Sequence, residues 1–336
     1  MRSRAVKRIT RIGVTLLTIF GIGLSLGCST EEPDVTIGLI TKQEENEYWV
    51  TVREVAEETA KQNNVELITI TGSSDVDVET QLAALKRMTE QQVDGILIAP
   101  TDSVAVVEPI EKAREAGIPV IAIDTPTDPV DAVDATFATD NQHAGELVGQ
   151  YARARADELG IEPKLAVLDL APGIASGELR YEGFLEGFGL EEAMSAEVAH
   201  EYAEASESLS ELAMEEILEE HPDVNIVYAV NEPAAMGAVT ALQDADVNMN
   251  DIILVTVDGG CEVMKDAVRP GLIDATAQQY PQNMAREGVV TLAEVARGED
   301  EPPTGFMDTG VVLVSGKSAP GVDSRGVSFG VRNCWG

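Results

Sequence analysis

From Val35 onward the chain repeats one pattern: a short, mostly apolar run, then an amphipathic stretch of helical period, then another such run. The runs Val35–Ile40, Glu66–Ile70, Gly95–Ala99 and Ile118–Ile123 read as strands, separated by helices over Tyr48–Lys61, Val78–Gln91 and Val104–Ala116. A strand with one wet face alternates apolar and polar residues. A strand apolar throughout is covered on both faces, which is the signature of a parallel sheet wrapped by helices. A second series follows, with helices predicted over His143–Leu159, Glu178–Phe188, Ser206–Glu220 and Ala234–Ala245. Its strands are predicted over Lys164–Leu170, Asn225–Val230, Ile252–Val257 and Gly271–Ala277, and a late helix over Gln282–Arg297. The 336 residues exceed the ~250 at which single cores stop growing, so two doubly wound α/β lobes are expected. No Pro- or Ser-rich linker separates them, so the lobes are joined by tight crossovers.

The amino terminus reads as an address. Arg2, Arg4, Lys7, Arg8 and Arg11 precede an apolar stretch from Ile12 to Gly27, shorter than the ~20 residues of a membrane span. It ends in Leu24-Ser25-Leu26-Gly27-Cys28, which resembles a lipobox with Ser25 in place of the usual Leu. The expectation is a signal peptide over 1–27, lipidation at Cys28 and a tether over 28–34, with an ordinary cleaved signal or a retained anchor as alternatives. Export places the other two cysteines, Cys261 and Cys334, where they either pair or remain buried thiols. The net charge of −36 excludes nucleic acid as a natural partner, because phosphate contacts need clustered Lys and Arg. Self-repulsion of that size favours a salty habitat, where ~1 M salt shortens the Debye length to ~3 Å, and a halophilic protein is expected.

Ligands of open parallel sheets sit beyond the carboxyl ends of the strands. There the sequence places Lys42 and Asn46-Glu47-Tyr48-Trp49, then Asp124-Thr125, the segment Pro172 to Arg180, Asn231, Asp258-Gly259-Gly260 and Gln279. Carboxylates and amide oxygens accept hydrogen bonds, Arg and amide nitrogens donate them, and aromatic rings pack on CH faces. That set suits a polyol such as a sugar, and suits a phosphate poorly because Arg180 and Lys42 are its only cations. Taken singly, each Asp or Asn is equally well explained as a helix cap, so the weight lies in their joint occurrence. His143, His200 and His221 fall far apart, on predicted helices or their ends, and read as surface residues rather than metal ligands. The chain has no phosphate loop, and the two aspartates end strands in different lobes, which argues against a glycosidase pair.

Several stretches carry a resemblance: Gly38-Leu39-Ile40-Thr41-Lys42, Asp124-Thr125-Pro126-Thr127-Asp128-Pro129, Asn231-Glu232-Pro233-Ala234-Ala235, Val257-Asp258-Gly259-Gly260-Cys261 and Cys334-Trp335-Gly336. From roughly Val35 to Gly336 the chain resembles a type I periplasmic sugar-binding protein of an ABC importer, in the ribose/fructose group and nearest the fructose-binding branch. The resemblance implies two Rossmann-like lobes joined by three hinge crossings. It implies an N-terminal lobe of 35–137 plus 280–308 and a C-terminal lobe of 138–279 plus 309–336. The ligand set it implies is Lys42, Asn46, Tyr48, Trp49, Asp124, Arg180, Asn231, Asp258 and Gln279, and the loop after the second strand offers Asp75, Asp77 or Gln81 as a further contact. Ribose binders carry Arg where Thr125 stands, so the resemblance favours fructose or a similar hexose. It also implies a monomer with no enzymatic activity and no cofactor. That monomer is tethered outside the cell membrane and delivers a monosaccharide to a permease whose ATPase is a separate chain. A sugar-sensing module for a chemoreceptor or kinase, and a binder of the signal autoinducer-2, share the same fold.

Overall fold

The computed structural model describes residues 33–336, so the predicted signal peptide, Cys28 and most of the tether lie outside the described residues. In chain order the first lobe runs β1 (Val35–Thr41), α1 (Glu47–Gln62), β2 (Val65–Thr71), α2 (Val78–Gln91), β3 (Gly95–Ile98), α3 (Val107–Glu115), β4 (Val120–Ile123) and β5 (Ala135–Ala138). The chain then enters the second lobe as α4 (Asn141–Leu159), β6 (Leu165–Asp169), α5 (Ala175–Phe188), α6 (Leu190–Ala196), β7 (Glu197–Tyr202), α7 (Glu207–Glu220), β8 (Ile226–Ala229), α8 (Glu232–Asp244), β9 (Ile253–Asp258), α9 (Cys261–Val263) and β10 (Ala275–Gln279). It returns to the first lobe for α10 (Pro281–Ala296) and β11 (Gly305–Asp308), then ends in the second with β12 (Val311–Ser315), β13 (Arg325–Gly326) and α11 (Val327–Asn333).

One sheet has the order β11-β5-β4-β3-β1-β2 and the other β13-β12-β10-β9-β8-β6-β7. The paired strands are parallel except for β10 against β12. The backbone therefore passes between sheets three times, after β5, β10 and β11. Strands β3, β4, β5 and β8 are buried at every position, as expected of strands covered by helices on both faces. The second lobe has one continuous apolar core, while the first lobe has two clusters, one on each face of its sheet.

Several boundaries differ from the sequence expectation. The strand expected from Gly271 begins only at Ala275, because Gly271 has a φ of 85° and turns the chain ahead of the strand. The helix expected from Val104 begins at Val107, since the Asp102 carboxylate accepts the amide hydrogens of Val104 and Ala105 and holds a turn there. Strands β5 and β7 are additions, and His200 lies on β7 rather than on a helix. His200 is also no free surface residue: its Nε2 lies 3.3 Å from Asp169.

The closest helix pair, α4 with α5, decides where one site residue goes. A Cβ at Gly145 would overlap the Arg180 carbonyl oxygen, and one at Gly183 would overlap that of Gln142. Glycine at these two positions lets the helix axes approach, which sets the first turns of α5, and Arg180 with them, over the gap between the sheets.

Candidate functional site

All nine residues singled out from the sequence line one cavity between the two sheets, joined by Asp75, Leu170 and Ser176; its space, mouth included, is about 290 Å³. Each is placed by a strand end or a helix start. Lys42 follows β1, Asp124 follows β4, Asp258 ends β9 and Gln279 ends β10. Asn46 caps α1, accepting the Tyr48 amide at 2.9 Å, and Asn231 caps α8, accepting the Ala234 amide at 3.1 Å. Cap and site residue are thus one and the same, so the two explanations open at the sequence level do not compete. Of the three candidates in the loop after β2, only Asp75 lines the cavity. Asp77 caps α2 through the Thr80 amide, and Gln81 braces the backbone at Ala99 and Thr101.

Arg180, 3% exposed, is the centre of the arrangement. Its guanidinium lies 3.9 Å from Asp124 on one lobe and 3.8 Å from Asp258 on the other. Nε donates to the Asn141 side chain at 2.7 Å and Nη1 to the Val230 carbonyl at 3.1 Å, which fixes the plane of the fork. Asp124 accepts the Tyr48 hydroxyl at 2.8 Å and the Thr125 hydroxyl at 2.7 Å. Lys42, 1% exposed, donates to Thr125 at 3.0 Å, sits 3.8 Å from Asp124 and 3.9 Å from Asp75, and lies 5.5 Å from the centre of the Trp49 ring. Asp258 accepts Gln279 Nε2 at 2.6 Å, and the Gln279 oxygen accepts the Thr139 hydroxyl at 2.9 Å. Thr125 and Ser176 share a 2.9 Å hydrogen bond from one lobe to the other.

The electrostatics follow from burial. Burial pushes the Asp258 carboxyl up to about 6, against the pull of Arg180, the Glu232 amide and Gln279. Asp75 is raised for the same reason, with Lys42 and Gln43 opposing. The Tyr48 phenol is pushed well above its ordinary range by burial and then by Asp124. Burial alone would lower the Arg180 guanidinium, but Asp258 and Asp124 outweigh it and raise it. Both aspartates at the centre have left-handed backbone, φ 64° at Asp124 and 132° at Asp258, uncommon for residues with a side chain and typical of strain kept at a functional position. The cavity therefore offers fixed donors and acceptors of both kinds, with two buried cations set among three carboxylates and an aromatic wall. Such a lining matches hydroxyls, which donate and accept at once.

Sequence reasoning missed Leu170, Ser176, Thr139 and Asn141. Ser176 stood inside a segment already flagged, and Asn141 opens a helix at a crossing between sheets. Neither carried a signal of its own.

A model of the periplasmic binding protein domain matches residues 37–300. The ribose import binding protein of Bacillus subtilis is 26% identical over 85% of this chain and 93% of its own length. That of Escherichia coli is 29% identical over 85% and 92%. Among solved structures, an ABC transporter solute binding protein from Agrobacterium vitis with bound D-fucose superposes with a TM-score of 0.74, 28% identity and coverage of 83% and 95%. One from Actinobacillus succinogenes with bound D-allose gives 0.72, 28%, 83% and 97%.

Proposed function

The chain belongs to the periplasmic binding protein domain family, a family of binding proteins rather than enzymes, and we propose that it captures a monosaccharide, fructose or a similar hexose, and delivers it to an ABC permease. The observation that carries this reading is Arg180 suspended between Asp124 and Asp258, carboxylates of opposite lobes, inside a cavity lined by groups that suit hydroxyls. The named relatives are ribose binders, and the superposed structures hold D-fucose and D-allose, all neutral polyols. The hexose preference rests on Thr125, which fills the position next to Asp124 with a short hydroxyl already engaged by Lys42 and Ser176.

Sugar bridging both lobes stabilises the closed form by its differential affinity for that state. The moving bodies are 35–137 plus 280–308 and 138–279 plus 309–336, hinged at the three crossings. The protein acts as a monomer outside the cytoplasm, tethered through lipid at Cys28, and loss of the five cations of residues 1–27 leaves it more acidic than the −36 of the full chain, a charge that suits a salty habitat.

Tryptophan fluorescence tests the reading, since the sequence has two Trp, Trp49 in the cavity wall and Trp335 directly behind it. In ~2–3 M salt, where charge repulsion is screened, fructose produces a saturable change that ribose matches only at higher concentration and that Asp258→Ala abolishes. Folded protein silent to every pentose, hexose and polyol overturns sugar capture. A response to autoinducer-2 alone reassigns the site to signalling.

A further inference from the structure

Glu232 opens α8 immediately after the site residue Asn231, yet its side chain points away from the ligand cavity and toward the loop that carries Asp258. It is buried, and one carboxylate oxygen, Oε1, accepts the amide hydrogens of both Gly259, at 3.0 Å, and Gly260, at 2.8 Å. The backbone amide of Glu232 returns the contact by donating to Asp258 Oδ2 at 3.1 Å. Two segments 26 residues apart are thereby closed into a ring of three hydrogen bonds, none of them to ligand. The ring surrounds the most unusual backbone of the site, Asp258 at φ 132° followed by Gly259 at φ 91°. A residue with a side chain stays there only where its surroundings over-determine it. The same loop runs on into Cys261, whose amide donates to the Trp335 carbonyl at 2.8 Å and whose sulfur is bonded to Cys334.

We infer that Glu232 is a positioning residue: its carboxylate clasps the amides of Gly259 and Gly260 and so aims the Asp258 carboxylate at Arg180 and Gln279. The inference rests on the reading of the cavity as a sugar site and adds to it a residue that acts through Asp258 without touching the ligand. Losing the acceptor leaves two buried amides unpaired and frees the loop to relax out of the left-handed region.

The test compares Glu232→Gln with Glu232→Ala in the mature chain. Glutamine keeps a carbonyl oxygen to accept both amides, so sugar affinity stays within about 3-fold of the parent; alanine removes the acceptor and weakens every sugar alike by about 30-fold, as expected for one or two lost buried hydrogen bonds. A second readout needs no sugar. The Gln279 side-chain amide donates to Asp258 at 2.6 Å, so its proton NMR signal keeps its position in the Gln variant and moves in the Ala variant. If Glu232→Ala does not fold, Gly260→Ala takes its place: a Cβ there would lie 2.6 Å from Glu232 Oε2 and push the carboxylate off the amides, and it gives the same displaced signal. An alanine variant with parental affinity and an unmoved Gln279 signal overturns the inference, as does a glutamine variant as impaired as alanine. If the parent binds no sugar, the sugar reading fails, and the Gln279 signal alone still decides whether Glu232 aims Asp258.

Discussion

Asp124 and Asp258 are near mirror images across the cleft. Each sits at the carboxyl end of a strand, has a left-handed backbone and faces Arg180, at 3.9 and 3.8 Å. Their other partners differ. Asp124 is met by two hydroxyls, from Tyr48 and Thr125, and by a second cation, Lys42. Asp258 is met by a backbone amide and a side-chain amide, and its carboxyl is raised to about 6. Equal geometry therefore does not give equal chemistry. Each half carries a cation of its own, Lys42 beside Asp124 and Arg180 beside Asp258, but Arg180 also reaches across to Asp124, and only the second-lobe half rests on a clasped loop.

The largest expected effect is the removal of the shared partner. Arg180→Met leaves two buried carboxylates facing each other, and breaking a buried pair costs about 3–5 kcal/mol, so sugar affinity falls roughly 1,000-fold by calorimetry. Arg180→Lys recovers only part of this, because a point charge cannot serve Asn141, Val230 and both aspartates from one plane. A loss of less than tenfold in the Met variant would mean that each half binds independently.

Replacing one aspartate at a time comes next. Asp124→Asn and Asp258→Asn each cost about 2–3 kcal/mol, near 100-fold in affinity. Because both lean on one guanidinium, the double variant loses clearly less than the sum. Additivity to within ~0.5 kcal/mol would break the picture of a shared arginine.

How much of this was legible beforehand follows a physical line. Apolar runs announce parallel strands, and strand ends announce the cavity, so nine lining residues were readable without coordinates. Strand β7, Glu197 to Tyr202, was not, because it is an edge strand with half-exposed and polar positions such as His200 and Glu201. Trp335 was expected to belong to the second lobe with the rest of the tail. Its ring instead joins the first lobe's core, edge-on to Tyr48 at 5.4 Å, while its indole donates to the Gln279 carbonyl at 3.1 Å. The path of a tail is tertiary information that local pattern does not carry. The Glu232 clasp was hidden for the same reason, since its partners are backbone amides, which have no sequence signature.

Acidity separates the two halves by about tenfold. A carboxyl that titrates near 6 before sugar binds, and that must be charged to accept the sugar hydroxyls, loses that charge on going from pH 7 to pH 5, so wild-type affinity drops about 10-fold over that interval. Asp258→Asn flattens the profile, whereas Asp124→Asn keeps a pH dependence with its midpoint moved down, because the Asp124 charge helps to raise Asp258. Stability moves the opposite way. The folded carboxyl binds its proton more tightly than the ordinary value of 3.8, so its contribution to stability is present below 3.8 and is lost as pH rises through about 6. Asp75 and Glu232, also raised by burial, push in the same direction, and Glu232 is raised by the Asp258 charge as well, so the difference between parent and Asp258→Asn melting curves reads Asp258 together with its effect on Glu232. Parallel pH profiles in the two asparagine variants would erase the distinction drawn between the halves.

The smallest effect probes the neutral seam. Thr125 and Ser176 join the lobes through a single hydrogen bond without charge, and Ser176→Ala removes it while Thr125 keeps its bonds to Asp124 at 2.7 Å and Lys42 at 3.0 Å. With no partner left orphaned, the cost is one ordinary hydrogen bond, about 1 kcal/mol or 5-fold, seen mainly as faster sugar release in stopped-flow fluorescence. A loss on the scale of Arg180→Met would show that closure turns on this seam and that the charged partners of Asp124 and Asp258 only tune it.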